Sequence, residues 1–254
     1  MDRLNNVTTR APGQTPEITE SCTRGSNPLI SLILPVLNEA PILAEALSNL
    51  PRAPDLEFLL VDGGSTDATR EAAGGFPHIR WVSAPRGRGV QMNAGARVAR
   101  GDFFIFLHVD TSLATEHLAA LRQAARDPRV GAGAFELRLT PPTPVLRFIA
   151  WGANWRGRLF RLPYGDQAIF VRRDLFLALG GFAHRHPEDL DLVLRLQRLT
   201  RLSLLTPPVN SSGRRWLKHG NLRTSGYHWA FLIHHLAERL LTRRWPSMGQ
   251  LFSE

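Results

Sequence analysis

The sequence predicts an α/β fold built around a mostly parallel sheet, and three observations carry that prediction. Four short apolar runs of strand length recur between residues 29 and 107, and each is followed by a segment with helical spacing. Those helical segments are about ten residues long, the length that carries a chain from one parallel strand to the next across a sheet face. Beyond residue 130 the alternation breaks down, so a regular nucleotide-type half is expected to merge with a mixed second half.

Residues 29–34 form an apolar run stopped by Pro35, which reads as a buried strand, and residues 42–50 have helical spacing up to Pro51. Residues 56–61 are a second buried strand, followed by the turn-forming Asp62-Gly63-Gly64-Ser65. Residues 66–73 read as a helix ended by Gly74-Gly75. The third and fourth strands are residues 79–83 and 103–107, with helices at 90–100 and 115–126. In the second half, 135–139, 168–171 and 202–205 read as strands, 189–199 as a helix, and 227–244 as a long final helix. Residues 1–27 are polar, without period or apolar core, and read as a disordered leader. One domain is expected over 28–245, with a nucleotide-type half at 28–130 and a different second half at 131–245.

At 254 residues, 43% hydrophobic and 21% charged, the chain is an ordinary globular protein, which excludes collagen and wholesale disorder. No apolar stretch approaches the roughly 18 residues of a membrane helix, so the cytoplasm is the expected compartment. Cys22 is the single cysteine, so neither a disulfide framework nor a cysteine zinc site is available. The net charge of +9 suggests a basic nucleic-acid-binding protein as a rival reading. Its distribution argues otherwise: residues 1–146 hold 14 basic and 15 acidic side chains, and residues 147–254 hold 17 and 7. Thirty of the 31 basic residues are arginine, a bias that can reflect genome composition as well as function. The rival also predicts basic residues interleaved with base-stacking aromatics, a pattern not evident here.

In open α/β sheets ligands collect beyond the carboxyl ends of the strands. The first strand ends in Pro35-Val36-Leu37-Asn38-Glu39, with neither a dinucleotide-binding glycine turn nor a phosphate-binding Gly-Lys-Ser/Thr loop. The strand ends carry instead Asn38 and Glu39, then Asp62, then His108 and Asp110. A carboxylate there can accept the imide N–H of a uracil or hold a ribose hydroxyl. His108 and Asp110 are one residue apart, so an extended segment would point both the same way. Together they could hold one Mg²⁺ or Mn²⁺ on a diphosphate, whose charge grows as it leaves a sugar.

The ordered set Ser31-Leu-Ile-Leu-Pro-Val-Leu-Asn-Glu39, Val61-Asp-Gly-Gly-Ser-Thr-Asp67 and Leu107-His-Val-Asp-Thr111 resembles family 2 glycosyltransferases, enzymes with the GT-A fold. The resemblance continues through Gly165-Asp-Gln167, His186-Pro-Glu-Asp-Leu-Asp-Leu192 and Ser211-Ser-Gly-Arg-Arg-Trp216, covering about residues 29–245. It implies a nucleotide-sugar donor, most often a UDP-sugar of the UDP-N-acetylglucosamine or UDP-glucose type, and a divalent metal. It implies donor contacts at Pro35, Leu37, Asn38, Glu39, Asp62 and Asp110, to which Arg86 and Arg88 are added from their own loop chemistry. Acceptor or phosphate contacts are implied at Tyr164, Asp166, Gln167, Arg214, Arg215 and Trp216, and metal ligands at Asp110, His108 and His219. Leu162-Pro-Tyr-Gly-Asp-Gln-Ala-Ile-Phe-Val-Arg-Arg173 and His219-Gly-Asn-Leu-Arg-Thr224 are similar to a narrower branch. That branch holds transferases of arsenosugar biosynthesis and the selenosugar synthases of selenoneine biosynthesis, and it implies selenophosphate as acceptor. Another small-molecule or lipid-linked acceptor is the alternative.

Each residue also has a purely structural reading. Asp62 could close an Asx turn, and the second acid that the family often places next to it is here Gly63. His108 alone reads as a core histidine. Asp189, the general base by resemblance, sits in a helix first turn, where an acid also complements the macrodipole. Asp191 is the alternative base. Arg86 and Arg88 lie in a Gly-rich loop, Pro85-Arg-Gly-Arg-Gly89, and paired guanidiniums suit phosphate oxygens. A single arginine outside the motifs, such as Arg156, Arg158 or Arg161, reads as solvated surface. The final helix has an apolar stripe through Trp229, Leu232, Leu236 and Leu240, expected to pack on the domain or on a partner subunit. A membrane-surface helix is the less favoured alternative for it.

Overall fold

A computed structural model describes residues 27–183 and 187–214. Strand β1 (Ile30–Val36) leads to α1 (Ala40–Ser48), β2 (Leu56–Asp62) to α2 (Thr69–Ala73), and β3 (Ile79–Ser83) to α3 (Arg88–Val98). Then come β4 (Phe103–Phe106), the short β5 (Thr111–Ser112), α4 (Thr115–Ala124) and the long β6 (Val130–Thr140). Helix α5 (Pro144–Phe160), a single 3-10 turn (Gly165–Gln167), β7 (Phe170–Arg172), α6 (Arg173–Ala178), α7 (Glu188–Leu196) and β8 (Arg201–Ser212) complete the described chain.

The strands form one sheet in the order β3-β2-β1-β4-β7-β6-β8-β5. The pairs β1–β2, β1–β4 and β2–β3 are parallel, as the alternation predicts. β7 runs antiparallel to both β4 and β6, which makes the second half mixed. Because both faces of the parallel strands are covered, their residues divide by parity. Ile33, Leu59, Val61, Phe104 and Phe106 join Met92 and Ala96 of α3 in one core. Ile30, Leu32, Leu34, Phe58, Leu60 and Phe103 join Leu43 and Leu47 of α1 and Leu118 and Leu121 of α4 in the other. Burial of both faces explains why these strands read as continuous apolar runs rather than alternating ones.

Several boundaries differ from the sequence reading. β6 and β8 are far longer than expected, and β8 runs through Pro207 and Pro208. Its pairing jumps from Phe135↔Leu205 to Leu137↔Val209, so both prolines sit in a register shift where no ladder N–H is required. Helices α5 and α6 were not expected. α5 has a sound start, with Thr143 accepting the Leu146 N–H and Pro144 at its first position. Arg88 opens helix α3 rather than lying in a loop. The leader except Asn27, Arg215, Trp216, His219 and the final helix at 227–244 lie outside the described residues. Among the described residues no helix is long and apolar enough to cross a membrane.

Candidate active site

Strands β1 and β4 deliver their carboxyl ends to one rim of the sheet, where a cleft of about 570 Å³ opens. Its lining includes Pro35, Leu37 and Glu39 from the end of β1 and His108 and Asp110 from the exit of β4. Arg86, Arg88 and Gln91 from around the start of α3, together with Arg214, complete its polar wall. The chain at His108–Asp110 is not extended: the Thr111 N–H turns back onto the His108 carbonyl at 3.0 Å. Both side chains nevertheless border the cleft.

Asn38 and Asp62 are placed differently, because they hold the rim loops together. Asn38 adopts φ 55°, and its side-chain oxygen accepts the Thr66 N–H at 2.8 Å. Asp62 accepts the N–H groups of Gly64 and Ser65 at 3.2 and 3.0 Å and the Ser65 hydroxyl, which is an Asx turn. Gln91 gave no signal in the sequence. Its buried amide donates to the Val36 and Val61 carbonyls, both at 2.8 Å, and so bridges the ends of β1 and β2. A Cβ on Gly63 would lie 2.9 Å from that amide carbon. The missing second acid and the glutamine are therefore one fitted pair.

Arg88 forms an ion pair with Glu188, the buried first residue of α7. Burial works against its charge, but Glu188, Asp189 and Asp166 outweigh it and hold the guanidinium pKa above its ordinary value. Glu188 was not among the expected site residues, although it stands within the His186–Leu192 motif.

Behind the cleft, α5, the 3-10 turn and α7 bring a second group together. Asp189 accepts the Gly165 N–H and the Leu190 N–H, both at 2.8 Å, which orients its carboxylate. A Cβ on Gly165 would stand 3.0 Å from Asp189 Oδ2 and 3.4 Å from His108 Nε2, so glycine there lets the turn close against both groups. Arg156 is not on the surface. Only 8% exposed, it lies 3.5 Å over the Tyr164 ring, and its Nε donates to the Leu162 carbonyl at 2.9 Å. Burial lowers its pKa and raises that of the Tyr164 phenol. The Asp166 carboxyl is pushed up to about 6, first by burial and then by repulsion from Asp189 and Asp110, with Arg156 pulling the other way. Gln167 anchors the turn, donating to the Phe135 carbonyl at 3.0 Å and accepting the Tyr164 N–H at 3.1 Å.

Asp191 points elsewhere. It pairs with Arg195, which also donates to the Leu179 and Gly181 carbonyls at 2.8 and 2.7 Å. Arg158, exposed as expected, pairs with Glu136. Among the described residues, no three His, Cys, Asp or Glu side chains gather as a metal cage. His108 and Asp110 can still suit Mg²⁺ or Mn²⁺, which bind through one or two protein groups while keeping water and phosphate oxygens. Asp110 and Asp189 both repel the Asp166 carboxylate, against the attraction of Arg156.

A profile described as Glycosyl transferase family 2 matches residues 31–167. A PGL/p-HBAD biosynthesis glycosyltransferase of Mycobacterium tuberculosis is 29% identical over 243 residues, covering 87% of this chain and 92% of that protein. Among solved structures, a mannosyltransferase from Pyrobaculum calidifontis in complex with GDP-Man and Mn²⁺ superposes with a TM-score of 0.54 at 24% identity. S. aureus TarS 1-349 in complex with UDP-GlcNAc gives 0.56 at 17% identity. The matches cover 74% and 72% of this chain, but only 57% and 58% of those structures.

Proposed function

Since the chain belongs to glycosyl transferase family 2 and has a GT-A-like fold, we propose that it moves a sugar from a UDP-sugar onto a small anionic acceptor, with selenophosphate the specific candidate. One observation carries this reading: Asp110 and His108 at the β4 exit and Asp189 at the start of α7 converge where the cleft meets the Gly165 turn. In this assignment residues 28–130 form the donor half and residues 131–245 the acceptor half of a single domain.

The rim at Pro35, Leu37, Asn38, Glu39 and Asp62 would hold the nucleoside, with Gln91 keeping the two strand ends in register. Arg86 and Arg88 would face the diphosphate, and His108 and Asp110 would hold the divalent ion. That ion, when bound, neutralises charge on the leaving diphosphate. The bond from the sugar's anomeric carbon to the diphosphate oxygen breaks, and UDP leaves with the electron pair. A selenium lone pair of selenophosphate forms the new bond to that carbon, and hydrolysis of the product releases inorganic phosphate. Selenophosphate is already an anion, so Asp189 would orient it or activate the water; for a hydroxyl acceptor Asp189 would take the proton. Tyr164 and Asp166, backed by the buried Gln167 and by Arg156, would face the acceptor together with Arg214; Arg215 and Trp216 of the same motif, proposed for the acceptor phosphate, lie outside the described residues.

A second reading keeps the donor and changes the acceptor. The mycobacterial relative, aligned along 87% of this chain, is named for PGL/p-HBAD biosynthesis, not for selenium chemistry. Incubation with UDP-N-acetylglucosamine and Mn²⁺, with and without selenophosphate, separates the two. A selenium-containing sugar seen by mass spectrometry supports the first. UDP release that ignores selenophosphate removes that acceptor and keeps the transferase.

A further inference from the structure

Helix α5 presents a large apolar face to solvent. Val145, Phe148, Trp151, Trp155 and Leu159 are all exposed, Phe148 at 67% and Trp151 at 60%. At about 100° per residue these five fall within an arc of about 120°. At a rise of about 1.5 Å per residue they run for about 21 Å along the helix. Phe148 and Trp151 stack, with ring centroids 5.7 Å apart and planes 25° from parallel, making a flat plate on the surface. The opposite side of the helix is already satisfied, since Leu146 and Ala150 pack on Leu137 and Leu139 of β6.

The border of the face is cationic. Arg147 follows one edge beside Arg158, whose charge is paired with Glu136; Arg161 stands just past the C-terminal end, and the helix PVLRFIAWGANWRGRLF itself contains no Asp or Glu. We propose that this face docks on an anionic lipid surface. Tryptophan and phenylalanine suit the interfacial zone, where a ring has one side in acyl chains and an edge near water. Exposed arginines beside them match acidic headgroups. Two other occupants fit the charge less well. A second copy of the chain would bring the same arginines against these. The chain's own segment 215–254 holds six basic residues against two acidic ones, so it too would meet like charge. The sequence reading sought a membrane surface only in the final helix, because α5 was not recognised as a helix. The docking surface does not depend on which acceptor is used.

Flotation of the full chain with vesicles tests this, using phosphatidylcholine alone or mixed with phosphatidylglycerol, and no donor sugar. Wild type is expected to float with the anionic vesicles and much less with the neutral ones. Phe148→Ser together with Trp151→Ser should cut the bound fraction about tenfold or more, with an unchanged circular dichroism spectrum and melting curve. Arg147→Glu, which leaves the apolar plate intact, should weaken binding to the anionic vesicles about tenfold. The proposal is overturned if wild type stays in the aqueous fraction, or if the double variant floats as wild type does. It is equally overturned if light scattering finds a wild-type dimer that the double variant dissolves, since a second copy would then be the occupant.

Discussion

On the β1–β4 side of the cleft, Arg86, His108 and Asp110 border open space, and the neighbouring loops after β1 and β2 are held by Asn38, Asp62 and Gln91. On the α5–α7 side, Arg156, Tyr164, Asp166 and Asp189 are packed within reach of one another's charge. Among the described residues, Arg86 and Asp110 of the first side form no ion pair and can meet a ligand. The second supplies its own cation to its own carboxylates. Burial first, and then repulsion from Asp189 and Asp110, displaces the Asp166 carboxyl to about 6 against the pull of Arg156, so a charge on it is not fully compensated. An anionic ligand entering there would need a further cation; Arg214 stands on the cleft wall, whereas Arg88 is already paired with Glu188.

Substitution of Asp189 is the strongest way to break this division. Asp189→Asn keeps the shape but loses the carboxylate, so transfer to a hydroxyl acceptor should fall by about 10²- to 10⁴-fold, with the melting temperature nearly unchanged. Sugar transfer at the wild-type rate removes the base role and leaves Asp189 as a ligand for the Gly165 and Leu190 N–H groups. Next in size is Arg156→Met, which fills the space under Tyr164 but leaves Asp166 and Asp189 without their buried cation. A loss of about 3 kcal/mol in urea unfolding at neutral pH is expected. An unchanged midpoint would mean that solvent already screens the cluster.

How much of this the sequence revealed follows the same line. The four parallel strands and the carboxylates at their ends were legible because a buried parallel strand is an uninterrupted apolar run and its exit is where a polar side chain stands out. Helix α5 was hidden for a physical reason. Its apolar residues lie both inward, at Leu146, Ile149 and Ala150, and outward, at Phe148, Trp151 and Trp155, so its period does not mark which side is buried. Arg156 was lost with it, since a guanidinium reads as surface unless the ring that covers it is known. Gln91 could not be found at all: its role is to bridge two carbonyls brought together only by strand pairing. β8 was cut short because Pro207 and Pro208 argue against a strand unless a register shift receives them.

The fit between Gly63 and Gln91 offers a third test, confined to the open side. Gly63→Asp restores the acid common in the family, but its Cβ would meet the Gln91 amide at 2.9 Å. The amide must then leave the Val36 and Val61 carbonyls, and a loss of about 2 kcal/mol is expected. Gln91→Ala costs stability by itself through those two carbonyls, yet combined with Gly63→Asp the two losses should sum to less than their separate values. Strict additivity in thermal melts would show that residue 63 has room without moving the glutamine.

The smallest effect concerns the packed side and depends on pH. Asp166 ionises near 3.8 in the unfolded chain and near 6 in the fold, so below pH 3.8 both states carry the proton and nothing is lost. As pH rises between those values, the unfolded chain releases its proton first, and stability falls until about pH 6, above which the loss is complete and constant. The full displacement corresponds to roughly 3 kcal/mol. Asp166→Asn also deprives Arg156 of one of its carboxylates, so a net gain on the order of 1 to 2 kcal/mol is expected at pH 8, vanishing near pH 4. Urea titrations of both proteins in EDTA check this, since a bound cation would draw the carboxyl back down. Parallel curves across the whole range would mean that Arg156 neutralises Asp166 after all, and the charge deficit assigned to this side would disappear. A gain at pH 8 accompanied by weaker acceptor binding would mean that the carboxylate is kept at a cost in stability because the acceptor needs it.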